Sequence, residues 1–403
     1  MRLVVLASVA LLIARQSSAQ DATRFTYADA LQRALTANPA IAAAQARRAI
    51  GAAGVAVAGE RLNPEGRVEI DRDEPHQAYS VAVPLELGGK RGKRVAVADA
   101  EMKATEAEIA QLIVETRNAV RRSYFDRVIA DGRLAVLDDL QSILSRARDA
   151  ARARFDAGSS PRLEVLQAEL ELAQAQNESI GARGAATAAR AKFNALLGLP
   201  VETATTIAPA ELEPAITLVD AMARARASSE LAVLDRRLDA QRARIALARA
   251  MQRPDVTPEG SITHGFAEDA PFQTGWKAAL AITLPIFTTH KAGVALEQAT
   301  LTQLENERKA AELQIAAAVS GAIAVADAQR AQYVRYRDEI LPQAMQVETM
   351  ADDAYRLGQT GIAAYLLALQ ATRDVRLRFL QAEADLHAAL ADLEQAIGAP
   401  LQP

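Results

Sequence analysis

Two stretches of the chain follow one plan about 200 residues apart. In Val81–Arg94, VAVPLELGGKRGKR, an alternating apolar run stops at Pro84 and gives way to a long helical pattern. In Leu280–Gly293, LAITLPIFTTHKAG, another alternating run stops at Pro285 and again launches a long helical pattern. The register holds far beyond these segments: Phe155/Tyr355, Gly158/Gly358, Leu166/Leu366, Gly198/Gly398 and Pro200/Pro400 are each 200 positions apart. Such a chain is a tandem duplication, and whatever one half folds into the other must repeat.

Each half reads helix, hairpin, long helix, turn, helix. Tyr27–Glu60 is helix-like and closes before Pro64, whose ring and missing donor cannot continue it. Arg67–Asp71 and Ala78–Leu85 alternate around the polar turn Asp73-Glu74-Pro75-His76, which predicts a hairpin. From Gly89 to Asp156 there is no proline, and Ile109, Ile113, Val120, Tyr124, Val128, Leu137, Leu140 and Leu144 recur mostly three or four apart. The spacing predicts one helix of roughly 68 residues, ~100 Å long. Gly158-Ser159-Ser160-Pro161 ends it and starts another that runs to Leu197, before Gly198-Leu199-Pro200. The second copy predicts a helix at Leu218–Arg253, a break at Pro254 and Pro258, and strands at Gly260–Ala267 and Thr274–Ile286. A long helix at Lys291–Leu357, the turn Gly358-Gln359-Thr360-Gly361 and a helix to Ile397 complete it. The first and last helices of each copy, ~51 and ~56 Å, match the long helix when stacked end to end. The layout is therefore a leader at 1–19, a first repeat at 20–200 with strands about 66–85, a connector at 201–217, and a second repeat at 218–403 with strands about 260–286. The two repeats form one domain.

The strand-to-helix junction gathers Pro84, Gly88, Gly89, Lys90 and Arg91, echoed by Pro285. Gly88-Gly89 gives the backbone freedom for the bend. The cluster Lys90, Arg91, Lys93 and Arg94 suits anionic lipid headgroups, an internal ion pair, or snorkelling at an interface.

Met1–Ala19 reads as a secretory signal: Arg2, an apolar core at Leu3–Ala14, then small residues Ser17-Ser18-Ala19. That core is shorter than the roughly 20 residues a membrane helix needs, and no later helix is expected to span a bilayer. A net charge of −4 argues against nucleic-acid binding. With 4% aromatics and 50% hydrophobic residues, long helices packed through small side chains are expected. There is no cysteine, so neither disulfide nor thiolate metal site is possible. His76, His264, His290 and His387 are scattered, without the spacing of a zinc site; the turn at 73–76 could at most attract a divalent cation weakly. No catalytic constellation or cofactor motif emerges, so no enzyme activity and no cofactor are expected.

The strands carry a dyad pattern. Trp276, Ala278, Leu280, Ile282, Leu284 and Ile286 share one face; Lys277, Ala279, Ala281 and Thr283 share the other. An ordinary soluble hairpin packed on a helix shows such a pattern too. In lipid, four strands cannot close a barrel, and an open edge is not tolerated there. Barrels need about eight strands or more, so a dimer with eight or a trimer with twelve would answer.

Here the chain resembles an outer-membrane efflux protein of the TolC family. Phe155-Asp156-Ala157-Gly158 and Tyr355-Arg356-Leu357-Gly358 match the family's aromatic-x-x-Gly pattern before the periplasmic tip, and Ile340-Leu341-Pro342-Gln343-Ala344 is similar to a recurrent family segment. Pro84–Arg94, PLELGGKRGKR, is similar to the CzcC branch, the outer-membrane component of heavy-metal RND efflux systems. The resemblance implies a mainly α fold with a small β part: a homotrimer whose twelve-stranded outer-membrane barrel continues into a periplasmic helical tunnel. It implies a passive conduit, with a periplasmic adaptor (membrane fusion protein), an inner-membrane RND pump and outer-membrane lipid as partners. Heavy-metal cations are the expected substrate; drug efflux or type I protein secretion is the alternative within the family, and a periplasmic coiled-coil scaffold or adaptor the alternative outside it. Tip residues Gly158, Ser159, Arg162, Glu164, Gly358, Gln359 and Thr360 are candidates for adaptor contact or gating. Some members narrow the tip with acidic rings; this chain has Glu164 in the first copy but Ala364 in the second.

Overall fold

The computed structural model describes residues 23–73, 75–208, 215–267 and 270–401; the leader expected at 1–19 and Glu74 of the polar turn lie outside them. The first copy comprises β1 (Thr23–Phe25), α1 (Tyr27–Ala37), α2 (Pro39–Ala58), β2 (Glu65–Ile70), β3 (Gln77–Ala82), α3 (Lys90–Asp156) and α4 (Arg162–Leu196). Then follow β4 (Thr205–Ile207), α5 (Leu218–Ala225), α6 (Ser229–Ala250), β5 (Asp255–Ala267), β6 (Ala270–Thr283), α7 (Lys291–Arg335), a π-helical turn (Tyr336–Ile340), α8 (Leu341–Arg356) and α9 (Ile362–Ile397). The helix expected at about 68 residues is α3, with 67.

Four features depart from the sequence expectations. The first helix of each copy is broken. Asn38 is extended (φ −69°, ψ 122°) because Pro39 crowds the residue before it out of the helical region, and its side chain caps α2 by accepting from Ala40 N–H. In the second copy Ser228 opens α6 by accepting from Leu231 N–H, which separates α6 from α5. Second, the long helix of the second copy is not uniform. Pro342 has no N–H for the carbonyl of Asp338 and its ring would clash there, so the wider turn at Tyr336–Ile340 precedes it. Third, β5 runs through Pro258 instead of starting after it. The Pro258 carbonyl accepts from Val83 N–H on the side where β3 has already ended, so the ladder to β6 loses no donor. Fourth, Lys291–Arg356 is, by length and composition, apolar enough to cross a membrane. It instead buries Ile315, Val319 and Ile323 against Leu386, Leu390 and Leu393 of α9.

The end-to-end stacking follows from close approach of two glycines. A Cβ on Gly198 would lie 2.5 Å from the Ala37 carbonyl oxygen, and one on Gly398 would lie 2.7 Å from Ser228 Cβ. With left-handed φ of +66° and +68°, these glycines let α4 and α9 abut the breaks at Asn38 and Ser228. Asn38 Nδ2 donates to the Leu196 carbonyl across the first of these joints. Inside the span expected as a connector, β4 pairs in parallel with β1. That pair covers a core of Phe25, Ala30, Ala34, Val120, Tyr124, Phe125, Phe193 and Leu197. The remaining strands form one antiparallel sheet in the order β2-β3-β5-β6, with β2 and β6 as open edges.

Candidate functional site

The sheet sorts its side chains by chemistry. Register places Val68, Tyr79, Ile262 and Trp276 in one row across all four strands. Val81, Leu280 and Ile282 continue the same face toward the helices, and all three are exposed. The opposite face carries Glu65, Arg67, Glu69, Glu259 and Lys277. An apolar face that is 84% exposed at Trp276 is left uncovered by the described residues. A surface of that kind marks contact with lipid or protein. The turns lie at one end of the sheet and the helices at the other.

At the helix end, Gly88 and Gly89 both take left-handed φ (+76° and +71°). They bring the buried Lys90 into an ion pair with the half-exposed Asp255, Nζ to Oδ2 2.7 Å, while Asp255 Oδ1 accepts from Leu87 N–H. Arg91 Nε donates to the Gly59 carbonyl at 2.5 Å, and Arg94 pairs with Glu86 and donates to the Glu60 carbonyl. Of the readings for this basic cluster, the structure therefore forms internal ties; Arg91 and Lys93 remain exposed, and no side-chain tie is described for Lys93. In the second copy Pro285 precedes His290, which takes the left-handed position (φ 54°) that Gly89 holds in the first.

The tips are two copies of one helix ending. Ser159 N–H bonds the Arg154 carbonyl and Gly158 N–H that of Phe155; Gln359 bonds Ala354 and Gly358 bonds Tyr355 in the same way. The two tips sit side by side: a Cβ added to Gly361 would lie 3.7 Å from Glu164 Oε1. The aromatic positions diverge: Phe155 is exposed, whereas Tyr355 is 2% exposed, stacked on Tyr365 (5.2 Å) and under the Arg154 guanidinium (5.2 Å). Arg162, Ser159 and Gln359 face solvent and Thr360 is half-buried. Beyond the tips, α4 exposes Leu163, Leu166 and Leu170, and α8 exposes Val347 and Met350, with Leu357 exposed at its C-cap. The spacings are three and four residues in the first set and three and seven in the second, so each helix carries an uncovered apolar stripe.

Sequence reading did not find the polar seam between α3 and α9. Arg121 Nε bonds Glu394 Oε2 at 3.0 Å, with both side chains at most 3% exposed, and Arg117 lies 3.9 Å away. Below it His387 stacks on Phe125, ring centroids 3.3 Å apart and nearly parallel. His387 is thus a core residue and no candidate ligand. Among the described residues, no cluster of three or more His, Asp or Glu could hold a metal.

Burial, then the positive charges of Arg121 and Arg330, push the His387 pKa down to about 3. A folded pKa below the unfolded one means that the unfolded chain takes up the proton first. Stability from the neutral ring is complete above the unfolded value and is lost as pH falls through the window between that value and about 3. Acidification from neutral pH to pH 5 should therefore cost about 2 kcal/mol per chain through this residue. His387→Phe should flatten that part of the profile, read as unfolding midpoints between roughly pH 7 and pH 5; an unchanged acid slope would refute the assignment.

Comparison with known proteins agrees with this geometry. The family model described as Outer membrane efflux protein matches residues 30–199 and 222–399. The chain is 27% identical over 359 residues to the cobalt-zinc-cadmium resistance protein CzcC of Cupriavidus metallidurans, covering 83% of this chain and 81% of that protein. It is 27% identical over 327 residues to the nickel-cobalt-cadmium resistance protein NccC of Alcaligenes xylosoxydans xylosoxydans, covering 75% and 72%. Its fold resembles that of the outer-membrane channel OprN, with a TM-score of 0.74 at 21% identity over 94% of this chain and 91% of that one.

Proposed function

The chain belongs to the outer membrane efflux protein family, and from that membership we propose that it is the outer-membrane conduit of a tripartite heavy-metal efflux system. Members of the family are trimeric outer-membrane channels that work with a periplasmic adaptor and an RND pump. The observation that carries the reading is the four-stranded sheet, apolar on one face and charged on the other, with two unpaired edges. Lipid tolerates such a sheet only when further copies close it, and three copies give twelve strands. The apolar stripes on α4 and α8 supply the surfaces on which neighbouring copies meet. Metal as cargo follows the resistance proteins that the chain resembles along most of its length. The sequence has no cysteine, the described residues hold no cluster of metal ligands, and a conduit works best with weak binding, so selectivity resides in the pump. The tips around Ser159 and Gln359, farthest from the sheet, meet the adaptor.

One strain tests both halves of this reading. Deleting the gene should abolish the part of metal resistance that depends on the pump. Complementing with Ser159→Cys or Gln359→Cys, in a chain without native cysteine, should restore resistance and yield a crosslink to the co-expressed adaptor. Unaltered metal tolerance in the deletion strain, with drug tolerance lost instead, would move the protein to drug efflux.

A further inference from the structure

The two open edges of the sheet differ in charge on its polar face. The row Arg67–Ser80–Ser261–Lys277 crosses the whole sheet, from β2 at one edge to β6 at the other. Along β2 that face carries Glu65, Arg67 and Glu69, and two more residues of the same parity, Asp71 and Asp73, lead into the turn. Asp71 keeps the hairpin register, since its N–H donates to the His76 carbonyl at 2.9 Å. Lys277 is the one cation in β6. It is exposed, and among the described residues no carboxylate pairs with its ammonium.

When copies close the sheet, β6 of one meets β2 of the next. A flat closure would set Lys277 against the next copy's Arg67, because both lie in one row. Barrel strands instead tilt by ~35–45°, which staggers the register around the circumference. Twelve strands at ~4.8 Å spacing make roughly 58 Å of sheet, so the stagger is about 40–58 Å, or ~12–17 residues at ~3.4 Å each. Each of three seams takes about four to six of these. Only an even shift keeps polar residues on the polar side, because successive side chains alternate faces.

What β6 would meet decides the direction. Shifted four residues toward the helices, Ile282 falls opposite Ala58 inside α2, and the half of β6 nearest the helices loses its partner. An unpaired edge at that depth is not tolerated in lipid. Shifted four toward the turn, all six residues of β2 are paired, from Glu65 with Thr283 to Ile70 with Ala278. A shift of six would already set Glu65 against Pro285, past the end of β6. In the register of four, Val68 meets Leu280, so the apolar face continues across the seam. On the polar face Lys277 meets Asp71, with Glu69 and Asp73 as diagonal neighbours. Two residues short of it, Arg67 would be one of those neighbours.

We propose that the seam holds an ion-pair site built from two copies, in which Lys277 of one, seated among Glu69, Asp71 and Asp73 of the next, sets the register at which the barrel closes. The proposal rests on the reading of the sheet as one third of a closed barrel. Backbone pairing alone tolerates neighbouring registers; a cation with acidic neighbours in one register and Arg67 beside it in others discriminates between them.

The test is disulfide formation between copies of the full chain in isolated outer membranes, where the absence of native cysteine lets one introduced pair report the register. Leu280→Cys with Val68→Cys leaves the charged site intact and should give covalent oligomers on oxidation that reduction dissolves. Leu280→Cys with Pro64→Cys, Gly66→Cys or Ile70→Cys should give at most about a tenth as much, because those pairs are out of register. A stronger product from any of these three would overturn the register. In the Leu280→Cys, Val68→Cys chain, Lys277→Glu should cut the product about tenfold, and adding Asp71→Lys should restore it. If Lys277→Glu chains do not reach the outer membrane, Lys277→Gln takes their place and must lower the product at least about twofold. A product unchanged by loss of the Lys277 charge would overturn the ion pair. A native chain that an amine-reactive crosslinker leaves monomeric in the outer membrane would instead remove the closed-barrel reading, and the seam with it.

Discussion

Leu280→Arg should leave the protein almost absent from the outer membrane as an assembled oligomer, while Ala279→Arg, one residue away, should assemble. Leu280 pairs with Pro258 on the face that carries Val81, Ile282 and the Trp276 row. Ala279 pairs with Glu259 on the face that already carries Arg67 and Lys277. A cation on the lipid side at mid-membrane depth costs roughly 2–4 kcal/mol per copy, and a trimer incurs it three times over. On the charged side the same guanidinium gains a carboxylate neighbour. The ratio of assembled to unassembled chains in isolated outer membranes measures the contrast. Equal loss from the two substitutions would mean that the faces are assigned the wrong way.

A loss of similar size is expected from Glu394→Ala, far from the sheet. This carboxylate joins the last helix of the second copy to the long helix of the first through Arg121. Removing it strands a guanidinium in a site where almost no water reaches, a change that typically costs 3–5 kcal/mol. The double change Arg121→Met with Glu394→Leu should recover most of that loss, since a well-packed apolar pair can replace a buried ion pair at little cost. Denaturant midpoints of the single and double variants decide it. A Glu394→Ala protein as stable as the native one would mean that Arg121 finds another partner.

Much of this architecture could be read from the chain alone because it is periodic. A proline-free stretch gave α3 to within a residue, and the alternation of Tyr79 through Leu85 gave the apolar face that register then extended through Ile262 to Trp276. The misses share a different character. The breaks before Pro39 and at Ser228 are single-residue events inside strongly helical composition, and the long amphipathic pattern concealed them. The turn before Pro342 was concealed in the same way. Arg121 and Glu394 look like ordinary surface charges on exposed helices; only contact between positions 273 apart shows that they are buried. Lys90 and Asp255 are likewise 165 apart, so the basic cluster had several readings until the fold chose the internal tie. The tip turns were legible from Gly158 and Gly358, but the asymmetry of Phe155 and Tyr355 depends on which helix lies alongside.

The open edges of the sheet also set a time limit on the free subunit. Until its neighbours arrive, β2 and β6 present unpaired backbone donors and acceptors beside an apolar face. Any extended peptide can pair with such an edge, and a second copy in the wrong register is the most abundant one available. Correct closure therefore competes with misassembly at a rate that grows with subunit concentration. Overproduction of this chain without matching insertion capacity would accordingly favour precipitate over channel.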